Sequence, residues 1–168
     1  MMFRLAAVGA ALLASGAIAL AESASPVDGQ LTFKASVGNN FEIQSSRLAL
    51  TSSSDPDVQA FARRMIADHA KAQQGLGRTA AISGADVGAF LDAPHEAKLT
   101  TLSALTGTDF DQAYMAEQVE AHHETLQVLD DIAAAGSDPA LRAWAAKTRP
   151  VVVMHLDMLG TMPAAASM

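Results

Sequence analysis

The sequence predicts an all-α protein, a ferritin-like four-helix bundle with a long crossover that carries a short extra helix. Four long segments repeat apolar residues at three- and four-residue intervals, which is the period of an amphipathic helix. Short turns join these segments in pairs, and the connection between the pairs spans residues 84–108. No segment shows the two-residue alternation that is typical of a β-strand.

The N-terminus has the pattern of a cleaved secretory signal. Arg4 precedes the apolar run Leu5–Leu20, and the small residues of Ala19-Leu20-Ala21 indicate cleavage after Ala21. An uncleaved membrane anchor is the alternative, although the run is short and rich in Ala and Gly. We therefore expect a signal peptide over residues 1–21 and a periplasmic or secreted location.

The mature chain is expected to form one domain. Residues 22–29 are small and polar and are predicted to be a flexible N-terminus, followed by a helical bundle over residues 30–163 and a disordered tail over residues 164–168. No later segment is a continuous apolar run of membrane-spanning length, so no stable membrane insertion is expected after cleavage.

Composition restricts the function classes. The chain has 18 acidic and 11 basic side chains, a formal net charge of −7, and no basic cluster, so it is a poor candidate for binding nucleic acid or anionic lipid. It has no cysteine. Any bound metal must therefore take nitrogen, oxygen or thioether ligands.

The first pair of helices is defined by its turn. The first helix is expected over Gln30–Thr51, with apolar residues on two sides, as in a helix inside a bundle. Asp55 is predicted to cap the second helix, with Pro56 as its first residue. That helix should run to about Ser83, where Gly84 can end it.

The second half of the chain repeats this chemistry. A short amphipathic helix is expected over Pro94–Leu105 in the crossover. Asp109 is predicted to cap the third long helix, which should run to about Ala135. A second Ser-Asp-Pro turn then starts the last helix, to about Met162, and Pro150 inside it is expected to kink it.

Three histidines and one glutamate form the candidate site. His69, His122 and His155 each take one position in the apolar stripe of a different helix, so each should be buried. A rise of about 1.5 Å per residue puts them roughly 21, 21 and 24 Å from the bundle ends. Glu42, on the first helix, lies at roughly 17 Å. The four side chains can therefore converge inside the bundle.

A bound ion and a dry polar network would both satisfy these groups, which cannot be buried unpaired without a cost of about a few kcal/mol each. Three imidazoles and one carboxylate suit zinc, copper(II), or iron or manganese with water completing the shell. Met65 and Met158, each one turn from a histidine, would favour copper. Methionine is also an ordinary filler of cores, and both interpretations stay open.

Other polar residues are weaker candidates. Five could orient the imidazoles, although each alone is typical of a surface or capping position: Asp68, Asp111, Tyr114, Glu117 and Gln118. His123 points about 100° away from His122 and is expected at the surface. His95 lies on the crossover with no evident partner. No phosphate-binding loop or nucleophile motif supports acyl or phosphoryl transfer.

Several strings of the chain carry a family resemblance. They are Phe41-Glu42-Ile43, VQAFARRMIADH at residues 58–69, DFDQAYM at residues 109–115, and Trp144-Ala145 with His155-Leu156. The sequence resembles the domain of unknown function 4142 family, exported bacterial proteins placed with the ferritin-like bundles. The resemblance implies a periplasmic four-helix bundle and no established activity. It also places four residues on recurrent polar positions of the family: Glu42, His69, His122 and His155.

The pattern differs from that of di-iron bundles, which carry Glu three residues before each ligand histidine. Here those positions hold Ile66, Val119 and Val152, so we expect a mononuclear site. The leading hypothesis is an exported bundle with a binding or stress-related role that holds one transition-metal ion through four residues: Glu42, His69, His122 and His155. The alternatives are a metal-dependent redox enzyme of peroxide or oxygen chemistry, and a structural or interaction bundle with a metal-free polar core.

Overall fold

The computed structural model describes residues 25–85 and 87–162, without the side chains of residues 82 and 83. The predicted signal peptide and C-terminal tail lie outside these residues. The described part contains five helices: α1 Pro26–Ser52, α2 Pro56–Ser83, α3 Ala93–Ser103, α4 Gly107–Ala135 and α5 Pro139–Thr161. The all-α prediction is confirmed. Among these helices, none combines the length and the apolar character needed to cross a membrane.

The four long helices pack in the cyclic order α1, α2, α5, α4, and α3 packs on α1 and α4. Helices α1 and α4 are antiparallel, because Asp28 near the start of α1 contacts Ser137, just beyond α4, whereas Ser46 near the end of α1 contacts Tyr114 near the start of α4. The predicted long crossover therefore runs the length of the bundle and returns the chain to the opposite end, as in a ferritin-like bundle.

Two helices begin as their sequences predict. The carboxylate of Asp55 accepts hydrogen bonds from the first backbone amides of α2, and that of Asp138 does the same for α5. Gly84 ends α2 with a left-handed φ of 72°, which glycine adopts without strain. Pro150 lies inside α5, as predicted.

Two helix starts differ from the prediction. Helix α1 begins at Pro26, so residues 26–29 are helical and the predicted flexible N-terminus is wrong for them. The side chain of Ser25 caps this helix by accepting from the amide of Asp28. Helix α4 begins at Gly107, whose φ of 61° turns the chain into the helix, and Asp109 lies in the first turn instead of capping it.

Two apolar clusters fill the bundle. The first lies toward the α1–α2 turn and includes Phe41, Phe61, Met65, Phe110, Met115 and Leu159. The second lies toward the α4–α5 turn and includes Leu31, Leu76, Leu129, Ile132, Leu141 and Val152. Between them is a layer of buried polar side chains, which we call the polar layer: Asn39, Glu42, His69, Gln118, His122 and His155. Met65 belongs to the first cluster and Met158 packs against it, so both contribute to the core.

We predict that Asp28→Ala lowers the free energy of unfolding by about 2 kcal/mol or more, because this buried carboxylate accepts several hydrogen bonds that join α1 to the α4–α5 turn. It accepts from the amides of Ser137 and Asp138 at 2.9 and 3.2 Å and from the hydroxyl of Ser25 at 2.8 Å. Denaturant unfolding measures the change. The exposed Asp57→Ala is the matched control, and equal losses in the two variants would contradict the prediction.

Candidate metal centre

The three histidines meet at one level inside the bundle. His69 is 2% exposed, and His122 and His155 are fully buried. Their ring centroids form a nearly equilateral triangle with sides of 5.3, 5.4 and 5.5 Å. One ring nitrogen of each histidine lies within 4.8 Å of the corresponding nitrogens of the other two. The shared depth calculated from the helical rise is confirmed for these side chains.

Hydrogen bonds outside the triangle assign the protons of two rings. Nδ1 of His122 lies 2.7 Å from the backbone carbonyl of Gln118, which can only accept, so this nitrogen donates. Nε2 of His155 donates in the same way to a carboxylate oxygen of Asp68 at 3.1 Å. The remaining nitrogens, Nε2 of His122 and Nδ1 of His155, then face each other at 3.2 Å. In the neutral rings both carry a lone pair.

That spacing is close to the spacing of two ligands on one ion. Bonds of about 2.0–2.1 Å in tetrahedral geometry put two ligand nitrogens about 3.4 Å apart. Two lone pairs facing each other at this distance repel, and a cation between them turns the repulsion into two bonds. The pair of nitrogens from His122 and His155 therefore has the distance and the electronic arrangement of metal ligands.

His69 completes the triangle. Its Nδ1 lies 3.1 Å from the side-chain oxygen of Asn39, whose amide nitrogen donates to Gln73 at 3.2 Å. Nε2 of His69 is buried and has no hydrogen-bond partner among the described residues. Each of the three rings thus has an acceptor behind one nitrogen and leaves the other free, an arrangement common around ligand histidines.

Glu42 is buried at the same level but stands outside the triangle. Its Oε1 lies 3.2 Å from Nδ1 of His122, the nitrogen that bonds the Gln118 carbonyl, and not from the free Nε2. Burial raises the pKa of Glu42 well above its usual value, and the negative charge of Glu124 adds to the effect, although the nearby side-chain amide of Gln118 opposes it. The neutral carboxyl is therefore favoured in the folded protein.

The imidazoles are held in their neutral form, which is the form that binds metal. Burial lowers the pKa of His69 well below its usual value, and His122 and His155 lower it further. Burial also lowers the pKa of His122 to about 3, although the Gln118 carbonyl opposes this. The pKa of His155 is lowered by burial, against the attraction of Asp68.

Asp68 connects the triangle to the surface. Partial burial would raise its pKa, but hydrogen bonds from Arg64 and His155 outweigh this and hold the pKa below its usual value. A charged carboxylate one turn from Arg64 thus lies behind the ring of His155. It fixes the orientation of that ring and increases the electron density on the opposite nitrogen.

The comparisons with known proteins identify the family. The family model described as a domain of unknown function, DUF4142, matches residues 13–162. The chain belongs to this family. A solved structure, the DUF305 fragment from Deinococcus radiodurans, has a similar fold, with a TM-score of 0.72 and 13% identity over 82% of this chain and 95% of that one. At this identity the likeness shows the fold alone. None of the curated proteins matches the chain.

Of the five polar residues predicted to orient the imidazoles, two do so in this DUF4142 chain. Asp68 acts through its side chain and Gln118 through its backbone carbonyl. Among the described residues, the other three make no hydrogen bond to the imidazoles. The hydroxyl of Tyr114 lies 2.8 Å from that of Ser46, and Glu117 pairs with Lys98 at 3.1 Å. Asp111 is buried near the start of α4.

Asn39 contacts His69 and was not among the residues predicted from the sequence. The signal was present, because an Asn in the middle of a helix is unfavourable unless its side chain has a partner. Two other histidines lie outside the centre. His123 is exposed, as predicted. His95 has partners that the sequence did not reveal, with Nδ1 2.5 Å from Asp92 and Nε2 3.6 Å from Glu124.

We predict that the metal-free protein loses stability as the pH falls from 6.5 to 4.5. The unfolded histidines bind protons below their usual pKa of 6.5, whereas the folded rings of His69, His122 and His155 resist them. Glu42 acts in the opposite sense, because its folded carboxyl keeps a proton that the unfolded one releases above 4.5. The unfolded state therefore binds at most about two protons more than the folded state. The free energy of unfolding then changes by at most roughly 2.7 kcal/mol per pH unit.

Denaturant unfolding at several pH values, with a chelator present, measures this slope. The variant Glu42→Gln removes the opposing contribution and should make the slope steeper by about one proton. A stability that is constant over this range, or that rises as the pH falls, would show that the rings are charged in the folded protein.

Proposed function

We propose that this protein is an exported helical-bundle protein that binds one transition-metal ion between His69, His122 and His155. One observation carries the proposal: each imidazole has a hydrogen-bond acceptor at one nitrogen, and the three rings bring one nitrogen each within 4.8 Å of one another. Side chains that bind metal in helical bundles project into the core from facing helices in this way. The proposed role is metal binding, either as such or in a stress-related function.

A metal-free polar network is the competing explanation, and it leaves more of the ring nitrogens without a partner. A proton shared between His122 and His155 would satisfy those two rings, but it would place a positive charge where burial lowers the pKa of both. It would also leave Nε2 of His69 without a partner among the described residues. One ion satisfies all three nitrogens together.

The donor set favours zinc and copper(II). Three imidazole nitrogens bind these ions more strongly than manganese or iron(II), which prefer sites with more carboxylate oxygen. Glu42 lies beside Nδ1 of His122 instead of in the triangle. A fourth position on the ion would be filled by water or by an exogenous ligand. We propose a single ion, because the three ring centroids lie only 5.3–5.5 Å apart.

Export is part of the proposal and rests on the sequence. Arg4, the apolar run Leu5–Leu20 and the small residues up to Ala21 form the signal pattern. Outside the cytoplasm, a chain without cysteine cannot be inactivated by thiol oxidation, and its metal ligands are not redox-active thiols. An imidazole site suits that compartment.

We predict that the mature protein, purified without a histidine tag, binds one zinc or copper ion per chain, and that His122→Gln loses it. Removal of one of three ligands should weaken binding by at least about 100-fold, because the remaining two give an incomplete site. Elemental analysis and calorimetric titration measure content and affinity. The matched control is His123→Gln, which makes the same change at the exposed neighbouring residue and should keep the ion.

A wild-type protein that takes up no ion and shows no thermal shift with zinc, copper, iron or manganese would contradict the proposal. The metal-free network would then gain support from His69→Leu, because replacing a buried polar group by a well-packed apolar one often preserves or raises stability.

We further predict that Glu42→Gln keeps the ion. The carboxyl lies against the nitrogen of His122 that faces away from His155, so the variant should weaken binding by at most about tenfold, the low end of the range for residues that contact a ligand histidine without binding the metal. Calorimetric titration beside His122→Gln makes the comparison. A loss as large as that of the histidine variant would show that Glu42 moves and becomes a ligand.

A further inference from the structure

A chain of hydrogen bonds runs from His69 to the crossover. Nδ1 of His69 lies 3.1 Å from the oxygen of Asn39, and the amide nitrogen of Asn39 lies 3.2 Å from the oxygen of Gln73. The amide nitrogen of Gln73 lies 2.9 Å from the hydroxyl of Ser36, and that hydroxyl lies 2.8 Å from the backbone carbonyl of Gly88. We call these three intermediate side chains the relay.

The backbone carbonyl of Gly88, at the end of the relay, sets the direction in which its hydrogen bonds are donated. The Asn and Gln amides can each be turned by 180° with little change in shape, so by themselves they permit either direction of donation. A backbone carbonyl can only accept. Because Gly88 accepts from Ser36, Ser36 must accept from Gln73, Gln73 from Asn39, and Asn39 from His69. The proton of the His69 ring is thereby placed on Nδ1.

The carbonyl of Gly88 is held against α1 by a separate set of contacts. The side chain of Asn40 donates to this carbonyl at 2.8 Å and to that of Phe90 at 3.3 Å. The ring of Phe90 packs against Phe33 of α1, with centroids 5.5 Å apart. Any side chain at position 88 would overlap the ring of Phe90, because its Cβ would fall within bonding distance of the ring carbons. Glycine at this position therefore permits the observed packing, and a side chain would displace the ring of Phe90.

We propose that the crossover, acting through the relay, sets the tautomer of His69 and so keeps Nε2 free for a ligand in the centre. Ser36, Gln73 and Asn39 are positioning residues. The effect of the relay on the His69 tautomer does not depend on a bound metal, whereas the effect of the tautomer on metal affinity rests on the proposed function. When the crossover leaves α1, the relay can reverse, with Asn39 donating to Nδ1 and the ring proton moving to Nε2. The centre then loses one of its three lone pairs.

The tautomer can be read directly in the metal-free protein by nitrogen NMR of histidine labelled with ¹⁵N. In the wild type, Nδ1 of His69 should carry the proton. Gln73→Met and Ser36→Ala interrupt the relay, and the ratio of the two tautomers should fall by about fivefold, the effect of one hydrogen bond of ordinary net strength. Thermal unfolding and circular dichroism verify that the variants are folded.

Gln73→Met has a matched control. Gln74→Met makes the same change at the exposed neighbouring residue and should keep the wild-type tautomer. Unchanged tautomers in Gln73→Met and Ser36→Ala, an equal change in the control, or a wild-type ring protonated on Nε2 would each overturn the proposal.

Titration with zinc alone then tests the consequence for binding. Gln73→Met and Ser36→Ala should bind zinc about fivefold more weakly than the wild type, at the low end of ordinary coupling between sites, and the control Gln74→Met should match the wild type. A wild type that binds no zinc counts against the metal centre, and the tautomer result then decides the present proposal alone. Zinc affinities that are equal in the wild type and both relay variants overturn the coupling.

Discussion

The structure depends on the burial of three imidazoles in a single layer between two apolar clusters. A buried imidazole has two nitrogens, and both must be satisfied for burial to be tolerated. The fold gives each ring one acceptor of its own: Asn39 for His69, the Gln118 carbonyl for His122 and Asp68 for His155. The other nitrogen of each ring has no such acceptor. One ion bound to all three nitrogens would satisfy them, which makes the centre a candidate metal site.

The same constraint explains the composition of α1, which contributes no histidine. Several of its buried side chains at this level are small or polar, among them Ser36, Asn39 and Ser45. The hydroxyl of Ser45 accepts from the side chain of Gln118 at 3.1 Å, and Gly38 lies close to Thr125 of α4. Helix α1 can therefore approach α4 closely and supply partners to the other helices. It also carries the contacts that hold the crossover.

Much of this arrangement was predictable from the sequence, because helical geometry is nearly invariant. The 3.6-residue period predicted the helices and the buried faces of the histidines, and the fixed rise predicted their common depth. The Asp-Pro turns predicted the starts of α2 and α5. Local context decided the rest. The start of α1 was missed because Ser25 and the tie from Asp28 to Ser137 extend the helix into a segment of small polar residues.

The orientation of Glu42 was beyond the same reasoning. Spacing along the sequence fixes the depth of a residue in the bundle. Because α1 has apolar residues on two sides, the sequence does not determine how this helix is rotated about its axis. The depth also does not determine which nitrogen of His122 the carboxyl of Glu42 contacts. The relay was equally hidden, because residues 36, 39 and 73 meet only when α1 packs on α2, and residue 88 reaches them only when the crossover has folded back.

The existence of the metal centre can be decided by anomalous diffraction from crystals of the mature protein soaked with zinc. We expect one strong peak inside the triangle, about 2.0–2.1 Å from Nε2 of His69, Nε2 of His122 and Nδ1 of His155. A peak confined to surface carboxylates, with the three rings unchanged and the triangle empty, would show that the imidazoles do not form a metal site.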